Sequence, residues 1–180
     1  MTRDPEVVRR ADKIVVPGQG AFDVFMRGLR ARGLEAPLRD ALARGVPYLG
    51  ICLGLQILFE RSAEGALPGL GVFAGAVVRV TPNDPRLKVP HMGWNQVALR
   101  RRAPLLDADV DGAYYYFVHS YRAEPADRDL VALETDHGGT ICAAIARDHV
   151  FACQFHPEKS GVRGLALLRR FVEDEVGGAP

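Results

Sequence analysis

Pro47-Tyr48-Leu49-Gly50-Ile51-Cys52-Leu53-Gly54-Leu55-Gln56 sets a cysteine between two glycines where an apolar strand gives way to a helix. Tyr48 to Ile51 has the unbroken apolar run of a strand buried on both faces. Leu53 to Phe59 has the helical spacing that packs back onto such a sheet. The turn between them must be tight. Gly50 and Gly54 leave room for it, giving G-x-C-x-G, the cysteine form of a nucleophile elbow. An elbow holds the sulfur clear of the sheet edge at a helix N-terminus, where the dipole and free N–H groups are expected to lower its pKa and to supply oxyanion donors. A cysteine in an apolar stretch is equally a small core residue, so Cys52 as nucleophile requires a base elsewhere in the chain.

The base stands near the other end. Val150 to Phe155 reads as a second buried strand and runs into His156-Pro157-Glu158. Two reactive residues, each at the C-terminal end of its own strand, meet at the crevice above a parallel or mixed sheet. Pro157 restricts the backbone so that Glu158 can hydrogen-bond the imidazole and select its tautomer. His119, which ends the aromatic strand Ala113 to Val118, is the competing base, but no carboxylate follows it at short range. His137 and His149 fall in turns and read as solvent-facing. Cys142 and Cys153 lie inside apolar strand patterns and read as core. No set of His, Cys, Asp and Glu has metal-ligand spacing, and Cys52 with His156 is better explained as a catalytic pair than as half a zinc site, so no metal or cofactor is expected.

The remaining elements predict an α/β fold with a doubly wound sheet. Asp4 caps a short helix with Pro5 in its first turn, and Lys13 to Val16 is a strand ending in the loop Pro17-Gly18-Gln19-Gly20. A dinucleotide fingerprint would need a third glycine where Asp23 stands. Asp23 instead caps a helix through Arg32, and a second helix runs from Pro37 to Gly45. Glu60 to Leu70 reads as loop. Val72 to Leu99 reads as short strands and Pro-rich turns forming an antiparallel extension of the sheet. Val131 to Thr135, Ile141 to Arg147 and Val150 to Gln154 form a meander. Gly164 to Glu175 is a closing helix, with a frayed tail from Gly177.

Composition sets the class. A chain of 180 residues with 48% hydrophobic content is a single domain with a substantial core. Its 23 basic and 22 acidic residues leave a net charge of +1, which argues against a nucleic-acid surface or a polybasic membrane patch. Three cysteines are too few for a disulfide framework and fit a reducing cytoplasm. No stretch reads as a signal peptide or a membrane span.

The elbow decapeptide, followed by Gln154-Phe155-His156-Pro157-Glu158-Lys159, resembles the signature of the class I (triad) glutamine amidotransferases. Pro17-Gly18-Gln19-Gly20-Ala21-Phe22, Pro90-His91-Met92-Gly93-Trp94-Asn95 and Tyr115-Tyr116-Phe117-Val118-His119-Ser120-Tyr121 extend the likeness over nearly the whole chain. They narrow it to the glutaminase subunits of imidazole glycerol phosphate synthase. The resemblance implies a flavodoxin-like, three-layer mixed sheet and hydrolysis of glutamine by Cys52, His156 and Glu158. It implies an oxyanion site from the backbone of Gly18, Gln19, Gly20 and Leu53, although the family more often has a small aliphatic residue where Gln19 stands. Substrate contacts are implied at Gly50, Gln56, His119, Ser120 and Tyr121, the last three also lining the ammonia exit. The implied partner is a (β/α)8-barrel synthase (cyclase) subunit in a heterodimer, met by the face carrying His91 and Trp94 and by Lys159. The family also carries an earlier strand, helix and strand of about 30 residues, so the chain is expected to be N-terminally incomplete, with Met1 in place of an apolar residue of the second of those strands. A gamma-glutamyl hydrolase, a glutaminase of another pathway and a non-enzymatic binding subunit remain as alternatives.

Overall fold

The computed structural model describes residues 2–173. In chain order it has α1 (Pro5–Arg9), β1 (Ile14–Gly18), α2 (Phe22–Ala31), α3 (Glu35–Ala43), β2 (Tyr48–Cys52), α4 (Leu53–Gln56), β3 (Phe59–Ser62) and β4 (Phe73–Arg79). There follow β5 (His91–Leu99), β6 (Tyr114–His119), β7 (Tyr121–Pro125), β8 (Val131–Asp136), β9 (Thr140–Arg147), β10 (Val150–Cys153) and α5 (Gly161–Glu173). Seven strands form the main sheet in the order β1-β2-β10-β9-β8-β5-β6. The first three are parallel and the rest antiparallel.

The architecture is three-layered α/β. Along β2 and β10 the side chains alternate between two cores: Leu49, Ile51, Phe151 and Cys153 face Leu167 and Phe171 of α5, while Tyr48, Val150 and Ala152 face Met26 of α2 and Leu38 of α3. Burial on both faces is why these strands are apolar at every position. Of the stretch Val72 to Leu99 predicted as an antiparallel extension, β5 joins the main sheet, between β8 and β6. β4 does not belong to it: it pairs with β3 and β7 in a separate three-stranded sheet over the α2/α3 side. Among the described residues no helix is long and apolar enough to cross a membrane.

Several boundaries differ from expectation. The helix predicted from Leu53 to Phe59 ends after one turn, because the carbonyls of Ile57, Leu58 and Phe59 accept from Leu70, Val72 and Gly71 instead. Ile57, Leu58 and Phe59 are all fully buried, so no helix face was left for solvent. Part of the expected loop Glu60 to Leu70 is accordingly strand β3. Asp23 is not the cap of α2. Ala21 occupies that position, and the Asp23 carboxylate accepts from the N–H groups of Ala66 and Leu67. Asp4 does cap α1, accepting from Glu6 N at 2.9 Å. α3 starts at Glu35, two residues before Pro37, and α5 at Gly161. The last residues assigned to the closing helix, the tail from Gly177, and Met1 lie outside the described residues.

The elbow is built from close approaches. Cys52 has φ 55° and ψ −105°, a conformation costing a non-glycine residue about 1–3 kcal/mol. A Cβ on Gly54 would stand 1.9 Å from the carbonyl oxygen of Val16, and one on Gly50 would stand 2.5 Å from that of Gly54. Tyr48 Oη donates to Gly54 O at 2.7 Å and holds the turn from beneath. Gly20 is different: it has φ 98° but open space around it. We expect Gly54→Ala to destabilise by about 3 kcal/mol or more through overpacking, and Gly20→Ala by about 1–2 kcal/mol through backbone strain alone. Urea denaturation of both variants checks the difference.

Candidate active site

The C-terminal ends of β2 and β10 open into a cavity of about 410 Å³. Cys52 and His156 both line it, each contributed by the residues its strand places at the crevice. Below Cys52, β1 pairs in parallel with β2 and sets Gly18 directly opposite Cys52. Below His156, the imidazole's own backbone is pinned: its N–H donates to Tyr116 O, and Ser160 Oγ donates to its carbonyl at 2.7 Å. Tyr116 N in turn donates to Ser160 Oγ.

His156 is 2% exposed, and its Nδ1 lies 2.7 Å from Glu158 Oε1. A carboxylate accepts there, so Nδ1 carries the proton and Nε2 bears the lone pair. That Nε2 is buried and has no hydrogen-bond partner among the described residues. The Cys52 thiol is pushed up to about 11, first by burial and also by the Glu158 and Glu64 carboxylates, against the lowering effect of Leu53 N–H and the Gln154 amide. This overturns the expectation of a thiol acidified by a helix N-terminus. The helix behind it is a single turn, too short for much dipole, and Cys52 is only 8% exposed.

The other predicted residues divide. Gln19, Gly20, Leu53, Gln56, His119, Ser120, Tyr121 and Lys159 all line the cavity. Gly18 does not: it packs in β1, where a Cβ would stand 2.6 Å from Leu53 Cβ. Gly50, expected at the substrate, lies wholly within the sheet, and its smallness serves the approach of Gly54 and Ala152. Trp94 lies outside the cavity on β5, 55% exposed, edge-on to the Tyr116 ring at 6.2 Å, and Lys159 Nζ sits 5.9 Å over that same ring. Cys142 and Cys153 are core residues as expected.

The structure also adds residues. Glu64, from the segment read as loop, lines the cavity and accepts from Phe22 N at 2.8 Å. Gln154 is fully buried; its Nε2 stands 3.5 Å from Cys52 Sγ and its Oε1 accepts from Gln56 Nε2 at 3.0 Å. A glutamine at the end of an otherwise apolar run was the available signal for it. Met92 and Tyr114 stand exposed beside Trp94 on the outer face of β5 and β6.

His119 is unfit as the base. Its Nδ1 lies 2.9 Å from Tyr121 O, which only accepts, so Nδ1 donates and Nε2 is an acceptor. His91 Nδ1, 2.9 Å from that Nε2, must therefore donate, and His91 Nε2 accepts from Asn95 Nδ2. Burial holds His91 down to about 3 and His119 to about 4. His137, expected in solvent, stacks on His91 with ring centroids 4.2 Å apart, and His149 Nε2 is buried without a hydrogen-bond partner among the described residues. Both belong to turns that fold back against the body of the protein.

This is the construction of a class I glutamine amidotransferase, and the family model described as Glutamine amidotransferase class-I matches residues 4–174. The Imidazole glycerol phosphate synthase subunit HisH of Thermosynechococcus vestitus is 53% identical over 170 residues, covering 93% of this chain and 81% of that protein. The subunit of the same name from Nostoc punctiforme is 50% identical over 174 residues, covering 96% and 82%. A crystal structure of a glutamine amidotransferase shares the fold at 18% identity, with a TM-score of 0.71 over 96% of this chain and 83% of that one. The chain belongs to the class I glutamine amidotransferases and, within them, to the HisH family.

The two depressed histidines make stability depend on pH. Their folded pKa values lie below the ordinary 6.5, so between the two the unfolded chain binds more protons and stability rises with pH. Their contribution is complete above the unfolded value and is lost as pH falls. We expect each to remove about 2 kcal/mol between pH 7 and pH 5. Urea denaturation across that range should give a shallower slope for a His91→Gln/His119→Gln variant.

Proposed function

We propose that this chain is the glutaminase subunit of an imidazole glycerol phosphate synthase, acting in the cytoplasm in histidine biosynthesis. The observation that carries the assignment of roles is the His156 imidazole, fixed through Nδ1 by Glu158 and presenting an unpartnered, buried Nε2 in the cavity that holds Cys52. A cavity with one carboxylate at Glu64 and one ammonium at Lys159 suits a zwitterionic amino acid. Gln56 spends both amide hydrogens on Tyr121 O and Gln154 Oε1, which leaves its own Oε1 to accept from a substrate ammonium.

His156 Nε2 takes the Cys52 proton as the sulfur attacks the side-chain carbonyl of glutamine. The C–S bond forms and the carbonyl pair moves to oxygen, where Leu53 N–H and the backbone of the Gln19 and Gly20 loop stabilise it. Collapse breaks the C–N bond, and the proton on His156 leaves with ammonia. Water then adds to the thioester, giving a proton to His156, and the C–S bond breaks as that proton returns to Cys52 Sγ, which restores the thiol and releases glutamate. Because the resting thiol is neutral at physiological pH, transfer to His156 belongs to the chemical step.

Ammonia released into water at neutral pH would be protonated and lose its nucleophilicity, so a docked acceptor is a chemical requirement. We assign that role to a (β/α)8-barrel synthase subunit in a heterodimer. The exposed side chains of Met92, Trp94 and Tyr114 supply an apolar surface for it beside the cavity mouth.

Glutamate release should rise strongly when the barrel subunit and its nucleotide ligand are added, and should vanish in Cys52→Ala. Glu158→Gln should lower kcat about 100-fold with little change in KM, by freeing the imidazole. Absence of partner-dependent release from the parent chain would overturn the assignment. Trp94→Ala should weaken partner binding about tenfold or more by calorimetry, as expected for an interface aromatic anchor.

A further inference from the structure

Gln154 is a fully buried polar residue directly after the apolar strand β10, and both ends of its amide are engaged. Its orientation follows from the backbone. Tyr121 O can only accept, so the end of Gln56 that faces it at 3.0 Å is the NH2 group. The second hydrogen of that group points to Gln154 at 3.0 Å, which makes the facing atom of Gln154 its oxygen. The remaining end of Gln154, 3.5 Å from Cys52 Sγ, is therefore the NH2 group. The sequence of donors runs from Gln56 to Gln154 to sulfur, and the carbonyl of Tyr121 sets its direction.

We propose that Gln154 is a catalytic residue of the glutaminase reaction, donating an N–H to Cys52 Sγ and stabilising the thiolate when it forms and again when it leaves the thioester. This deepens the glutaminase reading above and rests on it. The need for such a donor is plain from the surroundings. The sulfur is buried, the carboxylate of Glu158 lies beyond His156, and Leu53 N–H is the other donor acting on it. A hydrogen bond to a charged atom is about twice as strong as one between neutral groups, so the Gln154 donor favours the anion over the thiol. The bond is made to a reacting atom rather than to substrate, so its loss bears on kcat more than on KM.

The test is Gln154→Met, which keeps an unbranched side chain of similar length and leaves a weak sulfur acceptor for Gln56. We expect kcat for glutamine hydrolysis by the complex to fall about 10- to 100-fold with KM within about threefold. Iodoacetamide alkylation of Cys52 at pH 8 should slow about threefold or more, since loss of thiolate is partly offset by the greater nucleophilicity of a less acidic sulfur. In the unaltered protein, the side-chain amide resonances of Gln154 should shift when Cys52 is alkylated. That measurement stands whether or not the variant folds. Alkylation and kcat both within about twofold of the parent, or amide resonances that stay in place, would overturn the proposal. Failure of the unaltered complex to hydrolyse glutamine would sink the glutaminase reading instead, and the alkylation and resonance measurements would still decide whether Gln154 bonds the sulfur.

Discussion

Cys52 can occupy its strained backbone conformation only because a carbonyl comes where a side chain would otherwise be. Val16 O approaches the Cα of Gly54 so closely that a methyl group there would stand 1.9 Å away. That approach brings the first turn of α4 over the end of β1, and the register of β1 against β2 then sets Gly18 level with Cys52. The placement of Cys52, the loop after β1 and the cavity they share thus follow from one backbone contact. The strain of about 1–3 kcal/mol at Cys52 is sustained by burial on both sides of the sheet, not by the short helix.

A second constraint operates at Tyr121. Its carbonyl oxygen has two lone pairs, and both are used: one by His119 Nδ1 and one by Gln56 Nε2. The first bond fixes the tautomers of His119 and, through it, of His91. The second fixes the orientation of Gln56 and Gln154. The wall of the cavity is therefore neutral and directional, with depressed imidazoles that stay uncharged through the physiological range. Against that wall, the Nε2 of His156 has no hydrogen-bond partner among the described residues. Burial around the sulfur favours the protonated thiol.

Strand β5 joins the two faces of this arrangement. Alternation along the strand sends His91 and Asn95 inward to the hydrogen-bonded wall and Met92 and Trp94 outward to the surface. A motif that reads as one unit in the sequence thus has two separate physical roles. Trp94 and Lys159, which are far apart in the chain, meet through the Tyr116 ring at the rim of the cavity.

Much of this was legible from the chain alone, because it depended on local chemistry. The glycines around Cys52 announced a tight turn, the apolar runs of β2 and β10 announced strands buried on both faces, and His156-Pro157-Glu158 announced a paired imidazole within three residues. What escaped was decided by distant segments. The helix after Cys52 stopped after a turn because residues 70–73 captured its carbonyls. The Asp23 carboxylate was claimed by a loop some forty residues on. Gly50 proved to serve packing, and the thiol proved less acidic than its place in the sequence implied, since burial is a property of the assembled fold. Sequence by itself singled out Cys52, His156 and Glu158 as the groups proposed to carry the chemistry. Tertiary structure decided their protonation, their orientation and the placement of Glu64 and Gln154 at the cavity and the sulfur, because desolvation and hydrogen-bond direction depend on atoms that only folding brings together.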